Sequence, residues 1–131
     1  MSDIVNDYFK RFYPDDWESA EYRFTTMLGG MCEYPDRSVN SIFPQMECAD
    51  GFTFSVQGHW GAYSSPRDDF AEHYSSVEVG FPSERVEDLM PYIDGADSNP
   101  TQTVYGYVPL HIVEKIIADH GGLKAAKEGA A

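Results

Sequence analysis

The sequence predicts an α+β domain: an antiparallel sheet of about four strands, with a helix pair at the N-terminus and helices towards the C-terminus, in the order ααβββαβα. Three observations predict it. Apolar residues recur at helical spacing near both ends of the chain, and strand-like alternation occupies the middle. Ala49-Asp50-Gly51 separates two strand-like runs, and Asp-Gly accepts the positive φ of a hairpin turn. Thr101–Gly122 reads as one strand–helix unit with punctuation at both ends. A chain of 131 residues is a single domain by length.

Taken in order, Ser2 is placed to cap a first helix, with Asp3 and Asp7 near its positive end. Ile4, Val5, Tyr8, Phe9 and Phe12 share one face, and Pro14 ends the element. Asp15, Asp16 and Glu18 open a second helix, along which Trp17, Ala20, Phe24, Met27 and Leu28 keep helical spacing until Gly29-Gly30. Met31–Asn40 reads as a loop. Ile42–Cys48 is the first strand, its start demoted to an edge or bulge by Pro44. The run from Phe52 to Gln57 alternates Phe52, Phe54 and Val56 with polar residues, as a half-buried strand does.

Gly58–Phe70 is a long loop by its Gly, Ser, Pro and Asp content, and long loops are often functional. His73–Phe81 is the third strand, with Tyr74, Val77, Val79 and Phe81 as core candidates. Ser83 caps a short helix, Glu84–Ile93, which Pro91 bends or shortens. After the acidic loop Asp94–Pro100, the β-branched and aromatic run Thr101–Val108 is the last strand. Pro109 fits the first helical turn, since the amide it lacks has no intrahelical partner there. Leu110, Ile112, Val113, Ile116 and Ile117 form an apolar stripe, Gly121-Gly122 stops the helix, and Leu123 closes it. Lys124–Ala131 reads as a frayed tail.

Twenty-two acids against nine bases give a net charge of −13. Such a chain has no basic patch with which to neutralise phosphates, so direct binding to nucleic acid or an anionic membrane is not expected, whereas a basic protein partner is. Acidity that serves only solubility is the plainer reading. The N-terminus is acidic and lacks an apolar leader pattern, and no apolar run approaches a membrane span, so a cytoplasmic protein is expected. Cys32 and Cys48 have neither a redox nor a zinc spacing and are expected to be reduced.

No catalytic signature and no cofactor motif is present. His59 and His73 flank Asp68, Asp69 and Glu72, a spacing that permits a mixed-ligand metal site but that a solvated acidic loop explains better, since spacing this loose is common by chance. Ser64-Ser65 with one of those histidines and an aspartate makes a trio, but without the G-x-S-x-G turn of a hydrolase. His120 falls at a helix C-terminus, where the dipole favours a cation. Acids group along the chain at Asp15, Asp16, Glu18 and Glu21, at Asp68, Asp69 and Glu72, and at Glu84, Glu87, Asp88, Asp94 and Asp97. Trp17, Tyr22, Trp60, Tyr63, Tyr74 and Tyr92 lie among them. Carboxylates mixed with aromatics are able to imitate phosphates and bases. Mimicry of duplex DNA, with its one charge per about 1.7 Å, requires several carboxylates on a short span.

The segments FTFSVQGHWGAYSSPRDD at Phe52–Asp69, YSSVEVGFPS at Tyr74–Ser83 and VYGYVPLHIVEKIIADHGG at Val104–Gly122 resemble small bacteriophage proteins without assigned activity. The resemblance implies a phage accessory protein of the anti-defence or anti-CRISPR type, acting in the host cytoplasm. The expected partner is the basic surface of a CRISPR effector or another nuclease. Asp15, Asp16, Glu18, Asp68, Asp69, Glu72, Glu87 and Asp88 are the expected contact carboxylates, with Trp60 and Tyr63 as anchors. A small structural or assembly module, or a metal-dependent enzyme using His59–His73, are the alternatives.

Overall fold

A computed structural model describes residues 3–13, 15, 17 and 43–124. Asp16, Glu18, Cys32, most of the expected second helix, the Met31–Asn40 loop and the tail beyond Lys124 lie outside the described residues. The elements are helix α1 (Ile4–Lys10), strands β1 (Met46–Glu47), β2 (Thr53–Gln57) and β3 (Ser76–Gly80), a 3₁₀ helix (Glu87–Tyr92), strand β4 (Val104–Pro109) and helix α2 (Leu110–Asp119). The four strands form one antiparallel sheet in the order β1-β2-β3-β4, so the α+β architecture holds.

Helix α1 is capped by Asp3 rather than Ser2: an Asp3 carboxylate oxygen accepts from the Asn6 N–H at 3.2 Å. Val5, Tyr8 and Phe9 are buried, and the Phe9 ring stacks on Phe43 at 4.2 Å and meets Tyr74 edge-on at 5.5 Å. Between β1 and β2 the turn forms as expected, with Gly51 at φ 99° and its N–H donating to the Cys48 carbonyl at 2.9 Å. Strand β1 is shorter than Ile42–Cys48. Pro44 has no amide to give a ladder, and Phe43 is held by a side chain instead: Gln57 receives the Phe43 N–H at 3.1 Å and donates to its carbonyl at 2.7 Å.

Two expectations are corrected further along. Phe81 is 50 % exposed rather than core. Its φ of 50° breaks the strand alternation one residue after Gly80 and turns the ring away from Val77 and Val79. The helix expected at Glu84–Ile93 is only the 3₁₀ turn Glu87–Tyr92, with no side-chain cap. Ser83 is engaged elsewhere, its N–H donating to the Thr53 carbonyl at 2.8 Å and its hydroxyl oxygen accepting from the Thr53 N–H at 3.1 Å.

The last strand and helix keep the expected order, with Pro109 closing β4 and standing as the N-cap of α2. Val113, Ile116 and Ile117 are buried against the sheet, together with Phe54, Val56, Val77, Val79, Tyr105 and Val108. The helix ends in a double hydrogen-bonded cap. Gly122 donates to Ile117 at 2.8 Å and Gly121 to Ala118 at 3.1 Å, and both glycines have φ near the left-handed region, at 90° and 92°. Both sheet edges carry further pairing. Lys124 N–H donates to the Glu47 carbonyl outside β1, and Asp94 N–H to the Val104 carbonyl outside β4.

Candidate functional site

The segment between β2 and β3 is built inward from its two ends. At Gly58 a Cβ would meet the Tyr74 ring at 2.9 Å, so only the smallest residue lets the backbone pass. Tyr74 is fully buried, and its backbone is read by the Asn6 amide: Tyr74 N–H donates to Asn6 Oδ1 at 2.8 Å, and Asn6 Nδ2 donates to the Tyr74 carbonyl at 3.1 Å. The Tyr74 hydroxyl donates to the Asp68 carbonyl and accepts from the Ala71 N–H at 3.2 Å. Burial drives its phenol strongly upward, and the neighbouring Tyr13 adds to the shift. Tyr74 is therefore a structural post and not one of the surface aromatics.

Asp69 is also not a surface carboxylate. Its side chain is 5 % exposed, and Oδ1 accepts the Trp60 N–H at 3.1 Å, so it fixes the loop from within. Asp68 is half-buried, and burial followed by the Asp69 charge pushes its carboxyl upward; Glu72 is exposed. Ser64 is buried, its hydroxyl donating to the Pro66 carbonyl at 2.9 Å, and His59 Nδ1 accepts the Gly61 N–H at 3.1 Å. Both groups serve the loop backbone, and no hydrolytic trio forms at Ser64. His73 pairs with Asp3 of α1 at 3.2 Å while His59 is buried in the loop, an arrangement that does not favour the alternative of a His59–His73 metal site. Among the described residues no group of three His, Cys, Asp or Glu side chains is arranged to hold a metal ion.

What the loop presents outward is aromatic. Trp60 is 37 % exposed and Tyr63 42 % exposed, and the Tyr63 ring lies 6.0 Å from that of Tyr107, itself 46 % exposed. The pair is made by a β-bulge. Val77 faces Val108 and Val79 faces Tyr105, so Gly106 and Tyr107 together oppose the single residue Glu78. Tyr107 takes φ 54°, which projects its ring from the sheet, and its N–H donates to the Tyr63 carbonyl at 2.9 Å. A Cβ on Gly106 would stand 3.1 Å from Tyr63 Cβ, so the glycine admits the loop to the strand.

Glu78 is half-buried on β3, opposite this bulge. Burial pushes its carboxyl above the ordinary range and the Asp94 charge adds to that, while Arg67 and the Tyr63 N–H pull it down. The Arg67 guanidinium carbon sits 5.5 Å from the Tyr63 ring centroid. Tyr107, Glu78 and Arg67 were not singled out by the sequence; the lone Gly106 inside a strand pattern was the available signal, since such a glycine marks a bulge or a close approach.

The remaining expected carboxylates divide. Glu87 is paired with Arg85 at 2.5 Å, and Asp88 with Lys115 at 2.9 Å, so neither presents unbalanced charge. Asp15 is exposed, whereas Asp16 and Glu18 lie outside the described residues. Glu72, Asp94 and Asp97 are exposed and form no ion pair among the described residues. Those three and Asp15 are the described members of the expected groups that keep both exposure and free charge.

A second polar cluster lies at the end of α2. His120 is its C-cap, as the dipole argument expects, and Nδ1 lies 2.7 Å from Asp50 Oδ2 while Nε2 faces Glu84 at 3.9 Å. Its ring stacks on Phe52 at 4.1 Å, and with Gly51 and Ser83 these residues line a cavity of about 240 Å³. The Phe52 N–H and the His120 side chain hold the Asp50 carboxyl below its ordinary range. Cys48, the free thiol among the described residues, is buried beneath, and its pKa is pushed up to about 11 by burial and then by the charges of Asp50 and Glu47.

No family model matches the chain, and comparisons with curated proteins and with solved structures also find no match. No helix among the described residues is long and apolar enough to cross a membrane.

Proposed function

We propose that the protein is a stoichiometric, non-enzymatic inhibitor that occupies a basic surface on a nucleic-acid-handling protein, in the manner of phage anti-defence proteins directed at a CRISPR effector or another nuclease. The observation that carries this reading is the exposed Tyr63–Tyr107 pair, opposite Glu78 in the sheet, in a chain of net charge −13. Aromatic side chains are enriched among binding hot spots because they bury large area at small entropic cost. Unbalanced negative charge steers encounter with a cationic cleft and opposes contact with polyanions. The exposed Glu72, Asp94 and Asp97 and the half-buried Asp68 supply the charge, with Trp60 and Tyr63 as anchors. Asp69 takes no direct part because the loop consumes its carboxylate.

The test is displacement of labelled duplex DNA from a purified nuclease effector by the protein, over a salt series. Charge reversal at Asp68 and Glu72 together is expected to weaken displacement and flatten its salt dependence, with the thermal midpoint preserved. Reversal at Asp69 is expected to lower the midpoint itself. Displacement unaffected by salt and by both surface reversals would remove the electrostatic reading. Recovery of an uncharged structural partner in its place would favour the assembly-module alternative.

A further inference from the structure

The chain has far fewer bases than acids, and the described bases are spent on two kinds of neighbour. Arg85, Lys115 and Lys124 pair with carboxylates, whereas Lys10, Arg11 and Arg67 lie over the rings of Trp17, Tyr8 and Tyr63. Arg67 combines a ring contact with a nearby carboxylate charge. Its guanidinium covers the Tyr63 ring and also acts on the half-buried Glu78 carboxylate. Planar, weakly hydrated guanidinium suits that combination of π-face and carboxylate better than a compact ammonium does.

The second ring of the pair, Tyr107, is held outward by a left-handed backbone conformation that non-glycine residues rarely adopt. Strain of this kind at an exposed aromatic persists only where surrounding structure enforces it, here through the Tyr107 N–H bond to Tyr63 and the bulge opposite Glu78. Asp94, whose charge reaches Glu78, adds a further carboxylate to the same neighbourhood.

We propose that Tyr63, Tyr107 and Glu78 form a receptor for an arginine side chain of the basic partner, in which Arg67 is the chain's own placeholder. The inference rests on the docking function above and names the contact that gives it chemical selectivity. On binding, the incoming guanidinium stacks against the tyrosine pair and takes Glu78 as its counter-ion. Arg67, on an exposed stretch of loop, moves out to solvent. The competition is between the Arg67 guanidinium and the incoming one.

The experiment measures binding of an arginine–serine repeat peptide and of its lysine–serine twin to the intact protein at low ionic strength. The variants are Tyr107→Asn, Glu78→Gln, Arg67→Ala and Arg85→Ala. Asparagine tolerates the left-handed backbone, so Tyr107→Asn removes the ring while keeping the bulge. The arginine peptide is expected to bind about three- to ten-fold more tightly than the lysine peptide, a margin in keeping with a cation–π contact plus an ion pair. Its side-chain CH₂ proton resonances should shift upfield from the tyrosine ring currents. Tyr107→Asn and Glu78→Gln should erase that preference. Arg67→Ala should strengthen arginine binding more than Arg85→Ala does, although each removes one positive charge. Equal binding of the two peptides, insensitive to the variants, would overturn the receptor while leaving acidic docking standing. Binding of neither peptide would withdraw the docking function itself. Should Tyr107→Asn fail to fold, Glu78→Gln and the Arg67→Ala against Arg85→Ala comparison decide the matter alone.

Discussion

The strand–helix unit Val104–Asp119 and the loop that runs from Gly58 to Ser75 are held together by different means. In the first, the start and stop are supplied within a few residues and the rest is apolar packing: Pro109 starts the helix, Gly121 and Gly122 close its end by bonds to Ala118 and Ile117, and Ile116 and Ile117 bury its face in the core. In the second, the constraints come from far away in the chain. Asn6 reads the Tyr74 backbone across 68 residues, Tyr13 donates to the Ala71 carbonyl across 58, and Tyr107 fastens Tyr63 to the sheet. The loop has little regular pairing of its own, so side-chain amides and phenols satisfy backbone groups that would otherwise be buried without partners. The difference teaches where each region is vulnerable. The helix fails through lost apolar burial, and the loop fails through single polar groups or through added volume.

That contrast is open to direct attack. The largest effect is expected at α2, where Ile116→Ala removes a buried side chain and should cost about 2–5 kcal/mol in urea denaturation. Next comes Asn6→Ala, which strands the Tyr74 N–H and carbonyl together. At about 1–3 kcal/mol for each buried group left unpaired, it should approach the helix substitution in size. Hydrogen exchange separates the two: Asn6→Ala should expose the loop amides first, and Ile116→Ala should lower protection throughout the sheet. A smaller cost, about 1–3 kcal/mol, is expected for Gly58→Ala, because the new methyl meets the rigid Tyr74 and Phe9 rings. An unchanged midpoint for Gly58→Ala would mean that the loop is not packed as tightly as its contacts imply.

The smallest effects are those of pH, and here the two polar sites should respond with opposite sign. Glu78 has a carboxyl raised by burial, so its charged form opposes folding at neutral pH, and stability attributable to it is gained as pH falls through the raised value. Glu78→Gln should therefore help most at neutral pH and make no difference in acid. Asp50 has a carboxyl lowered by the Phe52 N–H and His120, so its contribution is present above the ordinary aspartate range and is lost as pH falls through the lowered value. Asp50→Asn should destabilise at neutral pH and converge with the parent in acid. Midpoint curves for the two variants that moved in the same direction would contradict the assignment of burial to one site and of hydrogen bonding to the other.

Much of the architecture was readable from local chemistry. The hairpin at Asp50-Gly51, the alternation of Phe52, Phe54 and Val56, and the α2 stripe all express constraints that act within one turn or one strand. The candidate site was less readable. Trp60 and Tyr63 were identified as anchors and do stand exposed, yet Tyr107 read simply as one more residue of a strand. Its outward ring depends on the bulge, and the bulge depends on the register with β3, which alternation alone does not fix. Asp68-Asp69 read as a pair of like carboxylates. Folding separates them, turning Asp69 inward to the Trp60 amide and leaving Asp68 half-exposed. The capping helix expected at Ser83 failed because Ser83 found a non-local partner in Thr53, a competition invisible to propensity.

By itself the sequence determined the α+β class, the order of the described strands, the caps and stops of the last helix, and the excess negative charge. Each of these follows from residue identity or from spacing over a few positions. Tertiary structure alone decided which aromatics and acids share a surface, which carboxylates are consumed as internal acceptors or ion pairs, and which base lies over Tyr63. Those outcomes turn on contacts between distant segments, where a buried polar group takes whatever partner the packing brings to it and leaves the rest of the side chains to solvent.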